Sequence, residues 1–301
     1  MDFTEATVKV NGVEIAYQLH GESNRPTLLL IHGLSVPLTG WPTEMVQSFI
    51  ALGYQVLLLD NRDIGRSGPL NIKTPNLAWA LLKRKLGFKS RAPYRLEDMM
   101  ADTVALLDAL RLDKVHVVGA SMGGMIAQLM AIHHPERLLT LTSIMSTTGY
   151  RALPPINTEV KRAIFTKPAS PTYEGRFAYH INLWRTIGSP AYPVDTAELE
   201  NRVAAMMARG MTSKGTLRQM FAVIFAADRT EQLEQVTTPT LVLHGESDGL
   251  VNCDGGRETA KAIPNAKLKT YPGMGHDFPP QLLPAIVGDI AAHCQLNQHL
   301  S

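Results

Sequence analysis

Cysteine is scarce in this chain of 301 residues, which contains only Cys253 and Cys294. Two distant cysteines are too few for a disulfide framework, and they lack the paired spacing of a zinc site. We therefore predict that both thiols pack in the interior and that the protein works without a metal or another cofactor.

A charge excess of either sign is also missing, since 29 lysine and arginine residues stand against 27 aspartate and glutamate residues. The net charge of +2 is too small to indicate a nucleic-acid partner. No apolar run approaches the roughly 18 residues of a membrane span, and the first residues, MDFTEATVKV, lack the pattern of a secretion signal. These absences predict a cytoplasmic protein without a membrane span, and they leave its oligomeric state open.

Short apolar segments recur along the chain in a pattern typical of buried strands. The pair Asn11-Gly12 lies between the alternating segments Ala6–Val10 and Val13–Leu19, which predicts an opening hairpin with a tight turn. Six further strands are predicted at Thr27–His32, Gln55–Asp60, Lys114–Gly119, Leu139–Met145, Thr240–His244 and Lys267–Tyr271.

Segments of helical periodicity lie between these strands. The most regular of them are Leu96–Leu112, Met122–His133, Gly256–Ile263 and Gln281–His293. Strands that alternate with helices predict an α/β fold, with an eight-stranded, mostly parallel sheet and helices on both faces. Because one such sheet domain often exceeds about 250 residues, the length does not require a second domain.

One long stretch, from Thr148 to Thr230, shows no buried-strand pattern. It contains six prolines and becomes helical in pattern after Ala197. We predict that residues 148–230 form a helical cap inserted after the sixth strand. The core of the domain would then consist of residues 1–147 and 231–301.

The predicted cap is rich in methionine and aromatic side chains, which suit a hydrophobic small molecule. Most of them are expected to be core residues. We select Trp184, Met207 and Phe221 as candidate substrate-binding residues.

A candidate nucleophile lies in the segment Gly119-Ala120-Ser121-Met122-Gly123, which fits the pattern G-x-S-x-G. The pattern alone is weak, but here it joins a predicted strand to a predicted helix, as a nucleophile elbow requires. Glycine neighbours allow the sharp turn in which the serine adopts a strained conformation. The alternative is a glycine-rich turn that carries an ordinary serine.

A serine nucleophile needs a base, and His276 follows the last predicted strand at the carboxyl edge of the sheet, where ligands bind in such folds. The base in turn needs a carboxylate that fixes its tautomer. Asp248, just beyond the seventh strand, is our candidate, with Glu246 and Asp254 as rivals.

The tetrahedral intermediate also requires hydrogen-bond donors. In a strand–turn–helix site of this kind one donor is the backbone N–H after the nucleophile, here Met122, and the other comes from the loop after the third strand. That loop contains His32-Gly33-Leu34-Ser35. We predict that the N–H of Leu34 is the second donor and that His32 organises the loop.

These motifs together resemble the α/β-hydrolase superfamily over nearly the whole chain. The order Ser121, Asp248, His276 matches the order serine, acid, histidine of that superfamily. The segment Asp60–Ser67, with Asp63 in place of a usual glycine, is similar to that of esterases related to aclacinomycin methylesterase. Dehalogenases and epoxide hydrolases of this superfamily would be expected to carry an aspartate nucleophile instead.

The resemblance implies a serine hydrolase that cleaves carboxylic esters through an acyl-enzyme, with a small hydrophobic ester as its partner. The same three residues could also serve the hydrolysis of a thioester, a lactone, an amide or a carbon–carbon bond. A further alternative is a ligand receptor that keeps the fold without catalysis.

Overall fold

The computed structural model describes residues 3–86, 88 and 92–297. They form one eight-stranded sheet whose strands follow the spatial order β1-β2-β4-β3-β5-β6-β7-β8. The strands are β1 Phe3–Val10, β2 Val13–His20, β3 Thr27–Ile31, β4 Gln55–Leu59, β5 Val115–Ala120, β6 Leu138–Ile144, β7 Thr240–Gly245 and β8 Lys267–Tyr271.

The sheet is parallel from β4 to β8 and antiparallel at its first edge. β1 and β2 form a hairpin, and β2 pairs antiparallel with β4. At the hairpin turn Asn11 and Gly12 have φ angles of +48° and +80°, the left-handed conformation that a tight turn of this type requires. The predicted eight-stranded, mostly parallel sheet is confirmed.

Helices cover both faces of the sheet. They are α1 Thr43–Ala51, α2 Leu77–Lys85, α3 Leu96–Ala109, α4 Met122–His133, α5 Thr158–Phe165, α6 Tyr173–Ile187, α7 Thr196–Gly210, α8 Ser213–Ile224, α9 Thr230–Leu233, α10 Asp254–Ala262 and α11 Leu283–Leu296. Alternate side chains of β3 point to opposite faces of the sheet. Leu29 packs with α3 and α4, whereas Leu28 and Leu30 pack with α1 and α11. Among the described residues, no helix is both long and apolar enough to cross a membrane.

Five helices, α5 to α9, lie between β6 and β7, and residues 145–239, all of them described, contain no strand. Each of the first four, α5 to α8, begins at a polar residue whose side chain accepts a hydrogen bond from an N–H of the first turn. These residues are Asn157, Thr172, Asp195 and Thr212. Helix starts are therefore specified locally even though prolines interrupt the segment.

Buried ion pairs join this helical segment to the loop after β4. Arg218 of α8 binds both carboxylate oxygens of Asp63, at 2.7 and 2.6 Å, and Arg209 of α7 binds Asp60 at 2.9 Å. Asp63 has a φ of +71°, a conformation that favours glycine. The ion pair with Arg218 thus explains how an aspartate is held in a conformation that favours glycine.

Arg218→Met is expected to lower the free energy of unfolding by about 3–5 kcal/mol, because it leaves the buried Asp63 carboxylate without its partner. The exposed pair Arg257–Asp254 provides the matched control. Arg257→Met should change the free energy of unfolding by no more than about 0.5 kcal/mol. Urea unfolding followed by circular dichroism measures both, and equal effects of the two variants would contradict this account of the ion pair.

Candidate active site

Ser121 occupies a sharp turn between the end of β5 and the start of α4. Its φ and ψ angles are +56° and −119°, which is strained for a residue with a side chain. A Cβ atom on Gly119 would collide with the carbonyl of Gly123, and one on Gly123 would collide with the carbonyl of Ile31. Only glycine fits at these two positions, and the turn projects Ser121 beyond the carboxyl edge of the sheet.

His276 and Asp248 meet Ser121 in a continuous chain of hydrogen bonds. The Nε2 atom of His276 lies 3.0 Å from the Ser121 Oγ, and its Nδ1 lies 2.7 Å from the Oδ2 of Asp248. His276 and Asp248 are buried, whereas Ser121 is partly exposed. The structure therefore brings together the three residues that the sequence singled out.

The Asp248 carboxylate is surrounded by donors. Its Oδ1 accepts the N–H groups of Leu250 and Val251, at 2.9 and 2.8 Å. Burial raises the pKa of Asp248, but the imidazoles of His276 and His244 outweigh it and hold that pKa well below its ordinary value. The carboxylate is thus kept ionised beside the histidine that it orients.

The two rival acids lie elsewhere. Glu246 accepts a hydrogen bond from the Thr270 hydroxyl at 2.7 Å, and Asp254 pairs with Arg257 on the surface. Glu246 is exposed, and the side chain of Asp254 is about half-exposed. Neither forms a hydrogen bond or an ion pair with His276, so the geometry favours Asp248 over both.

The loop after β3 passes close to the nucleophile. A Cβ atom on Gly33 would lie 3.5 Å from the Ser121 Oγ. Neither the N–H of Leu34 nor that of Met122 has a hydrogen-bond partner within the described part of the chain. Two free donors on either side of a nucleophile are what an oxyanion hole requires.

His32 organises this loop. Its Nδ1 accepts the N–H of Gly33 at 2.7 Å, and its ring packs against Trp41 with centroids 4.8 Å apart. Burial lowers the pKa of His32 to about 3, so the ring is neutral. A neutral, buried acceptor suits a structural role better than proton transfer.

The three candidate substrate-binding residues lie in different surroundings. Trp184 and Met207 are partly buried and pack on an apolar cluster that includes Val36 of the β3 loop. Phe221 is fully buried, and its ring stacks on that of Phe225 with centroids 5.6 Å apart. Trp184 and Met207 therefore border the loop beside the nucleophile, whereas Phe221 has no exposed surface.

The residues that hold the His276 loop were not predicted from the sequence. The N–H of His276 donates to the carbonyl of Ile187 at 2.7 Å, and the N–H of Gly275 donates to the Ser189 hydroxyl at 2.9 Å. That hydroxyl donates in turn to Asp277. No local pattern indicates these contacts, because each joins the loop to the end of α6, far away in sequence.

His244 was also not predicted as a site residue, because in the sequence it belongs to a predicted strand. Its Nε2 lies 2.8 Å from the carbonyl of Val251 and 3.4 Å from the Asp248 carboxylate. It thus contacts the same carboxylate oxygen, Oδ2, as His276 does. Among the described residues, no cluster of histidine, cysteine and acidic side chains could hold a metal ion.

Comparison with known proteins shows which sequence family and which characterised enzymes the chain is similar to. The sequence model of the alpha/beta hydrolase fold family matches residues 26–280. The chain is 26% identical over 291 residues to rhodomycin D methylesterase DnrP of Streptomyces peucetius, covering 91% of this chain and 92% of that protein. It is also 26% identical over 285 residues to a 2-hydroxy-6-oxononadienedioate/2-hydroxy-6-oxononatrienedioate hydrolase of Cupriavidus pinatubonensis, covering 91% and 89% of the two chains.

Among solved structures, the enol-lactonase of Burkholderia xenovorans LB400 superposes with a TM-score of 0.72. The match covers 96% of this chain and 100% of the lactonase, at 22% sequence identity. At that identity the likeness establishes the fold alone.

Proposed function

Since the chain belongs to the alpha/beta hydrolase fold family, we propose that it is a serine hydrolase that cleaves carboxylic esters. The observation that carries the proposal is the chain of hydrogen bonds from Ser121 through His276 to Asp248. A methylesterase that is 26% identical over an alignment covering 91% of this chain supports the ester as substrate class.

The reaction begins with the attack of the Ser121 oxygen on the ester carbonyl carbon. Asp248 accepts a hydrogen bond from the Nδ1–H of His276, which leaves the Nε2 lone pair directed at the serine hydroxyl to take its proton. The carbonyl oxygen becomes an oxyanion, and the N–H groups of Leu34 and Met122 stabilise it.

Collapse of this intermediate releases the alcohol, which takes the proton from His276, and leaves an acyl group on Ser121. Water then attacks the acyl carbon while His276 accepts its proton. A second tetrahedral intermediate breaks down to the free acid and regenerates the serine hydroxyl.

We propose further that residues 148–230 form a cap over this site, with residues 1–147 and 231–301 as the hydrolase core. The support is the apolar cluster of α6 and α7, which packs on Val36 two residues beyond Leu34. Trp184 and Met207 belong to the border of this cluster. Such surroundings favour neutral substrates with hydrophobic acyl or alcohol groups over sugar phosphates and free dicarboxylates.

The test of this proposal is a hydrolysis panel of p-nitrophenyl esters of rising chain length, together with thioesters, lactones and amides. We expect the highest kcat/KM for neutral esters with hydrophobic groups. Turnover of another bond type with no turnover of any ester would contradict the substrate class while leaving the nucleophile in place.

The same panel examines the cap when it is repeated on single alanine variants. Trp184→Ala and Met207→Ala should change the ratio of kcat/KM between a bulky and a short ester by about 5–150-fold, because one lost apolar contact is worth about 1–3 kcal/mol. Phe221→Ala should mainly destabilise the fold, since its side chain is fully buried. The matched control is Phe165→Ala, because this cap aromatic is 56% exposed. If Trp184→Ala and Met207→Ala leave the ratio as unchanged as Phe165→Ala does, these residues do not shape the pocket.

A further inference from the structure

We infer that Gln219 is a positioning residue that holds the oxyanion loop, His32–Ser35, in its working shape; the inference rests on the proposed function. Gln219 lies on α8 of the helical segment and is fully buried. Its Oε1 accepts the N–H of Ser35 at 2.7 Å, and its Nε2 donates to the carbonyl of Arg62 at 2.8 Å. A side chain of the cap segment thus ties two loops of the core together beside the nucleophile.

The bond to Ser35 matters because of its place in the loop. Leu34, whose N–H faces the developing oxyanion in the proposed mechanism, lies between two anchored amides. The N–H before it, that of Gly33, is held by His32, and the N–H after it, that of Ser35, is held by Gln219. Since peptide units are planar, anchoring both neighbours restricts the rotation of the Leu34 N–H.

Backbone strain makes this anchor necessary. Ser35 has a φ of +63°, the left-handed region, which a residue with a side chain avoids unless its surroundings hold it there. Besides Gln219, Thr216 of α8 contributes a contact of 2.5 Å between its hydroxyl and that of Ser35. Without these ties Ser35 would relax towards negative φ, and its rotation would turn the adjoining Leu34 away from Ser121.

The other end of Gln219 is attached to a rigid point. Arg62 binds both carboxylate oxygens of Asp102, at 2.6 and 2.7 Å, and also donates to the carbonyl of Asp98 at 3.1 Å. These partners lie on α3, within the core. Gln219 therefore fixes the position of the loop relative to the core.

A misplaced oxyanion donor is expected to weaken the stabilisation of the transition state more than the binding of the substrate. The ester carbonyl of the ground state carries little charge, so KM should change little, whereas kcat should fall. Removing an oxyanion donor outright lowers kcat by about 10²–10³, and a donor that is only loosened should cost less, about 10–100-fold.

The experiment compares Gln219→Met with Gln128→Met. Methionine keeps the length of the side chain but accepts no strong hydrogen bond. Gln128 is equally buried and bonds Ser143 and Arg229, away from the oxyanion loop, so its replacement controls for the loss of a buried amide. The readouts are kcat, KM and the inhibition constant of a trifluoromethyl ketone. Ser121 adds to the carbonyl carbon of this ketone, and the resulting oxyanion occupies the same hole.

For Gln219→Met we expect kcat to fall about 10–100-fold with KM within about twofold, and the inhibition constant of the ketone to rise by a factor similar to the fall in kcat. Gln128→Met should lower stability without either kinetic change. Equal kcat values and equal inhibition constants for the two variants would overturn the inference.

If Gln219→Met does not fold, Thr216→Val serves as the second variant. It removes only the hydroxyl contact to Ser35, and both kinetic parameters should shift in the same direction by a smaller factor. No change in either of them would overturn the inference. Failure of the proposed function looks different: wild-type protein would then hydrolyse no ester, or Ser121→Ala would keep the rate.

Discussion

Ser121→Ala is expected to lower kcat for ester hydrolysis by about 10⁵-fold or more, the scale seen when the nucleophile of a serine hydrolase is removed. Alanine lacks the oxygen that forms the acyl-enzyme, and His276 then has no hydroxyl to activate. The rate that remains should come from the oxyanion hole and substrate binding alone. The variant should keep its fold, because the Ser121 hydroxyl bonds only His276 within the described part of the chain.

The measurement is kcat on the best ester of the panel, with the urea unfolding midpoint recorded beside it. Ser48→Ala is the matched control, since Ser48 is a serine of α1 that donates only to the carbonyl of Glu44. It should leave kcat unchanged. Retention by Ser121→Ala of more than about one-hundredth of the wild-type rate would point to a different nucleophile.

Asp248→Asn is expected to lower kcat by about 10³–10⁴ with little change in KM. An amide can turn its N–H₂ group towards the Nδ1 of His276, which favours the tautomer whose Nε2 carries the proton and so cannot accept one. Asparagine also lacks the negative charge that stabilises the imidazolium formed on proton transfer.

Glu246→Gln is the matched control for the acid. This carboxylate is exposed and accepts a hydrogen bond from Thr270, so its neutral form should leave kcat within about twofold. Steady-state kinetics of both variants distinguish the two acids. A large loss in Glu246→Gln together with a small one in Asp248→Asn would assign the role of the acid to Glu246.

The sequence predicted the sheet well because its central strands are buried on both faces. Such strands appear as uninterrupted apolar runs, and the run at Gln55–Asp60 differs from β4 by one residue. Helix ends were less accurate. α3 ends at Ala109 rather than Leu112, since Arg111 adopts a left-handed φ of +57° that closes the helix.

The helical segment was predicted only in outline. α5 and α6 precede the point at which helical periodicity becomes visible, at Ala197, and prolines on both sides hide their short apolar pattern. Their starts do have a local signal, since Asn157 and Thr172 cap the first turns. That signal is common in loops as well, so it gains meaning only once the helix is seen.

The candidate site also contains residues that the sequence predicts and residues that it does not. Ser121, His276 and Asp248 each follow a strand, so their meeting could be inferred from the topology of a parallel sheet. The groups that hold the loops could not be inferred. Gln219 and Ser35 are 184 positions apart, and Ser189 and Gly275 are 86 apart. Such pairs depend on how α6 and α8 pack on the core, which no local pattern specifies.

The most direct test of the central claim is to treat the folded protein with a fluorophosphonate probe and to locate the adduct by peptide mass spectrometry. A serine activated by His276 attacks the phosphorus and displaces fluoride, whereas ordinary serines do not react. We predict a single adduct on Ser121, and none in Ser121→Ala. An adduct at another residue, or no adduct on folded wild-type protein, would contradict the assignment of Ser121 as the nucleophile.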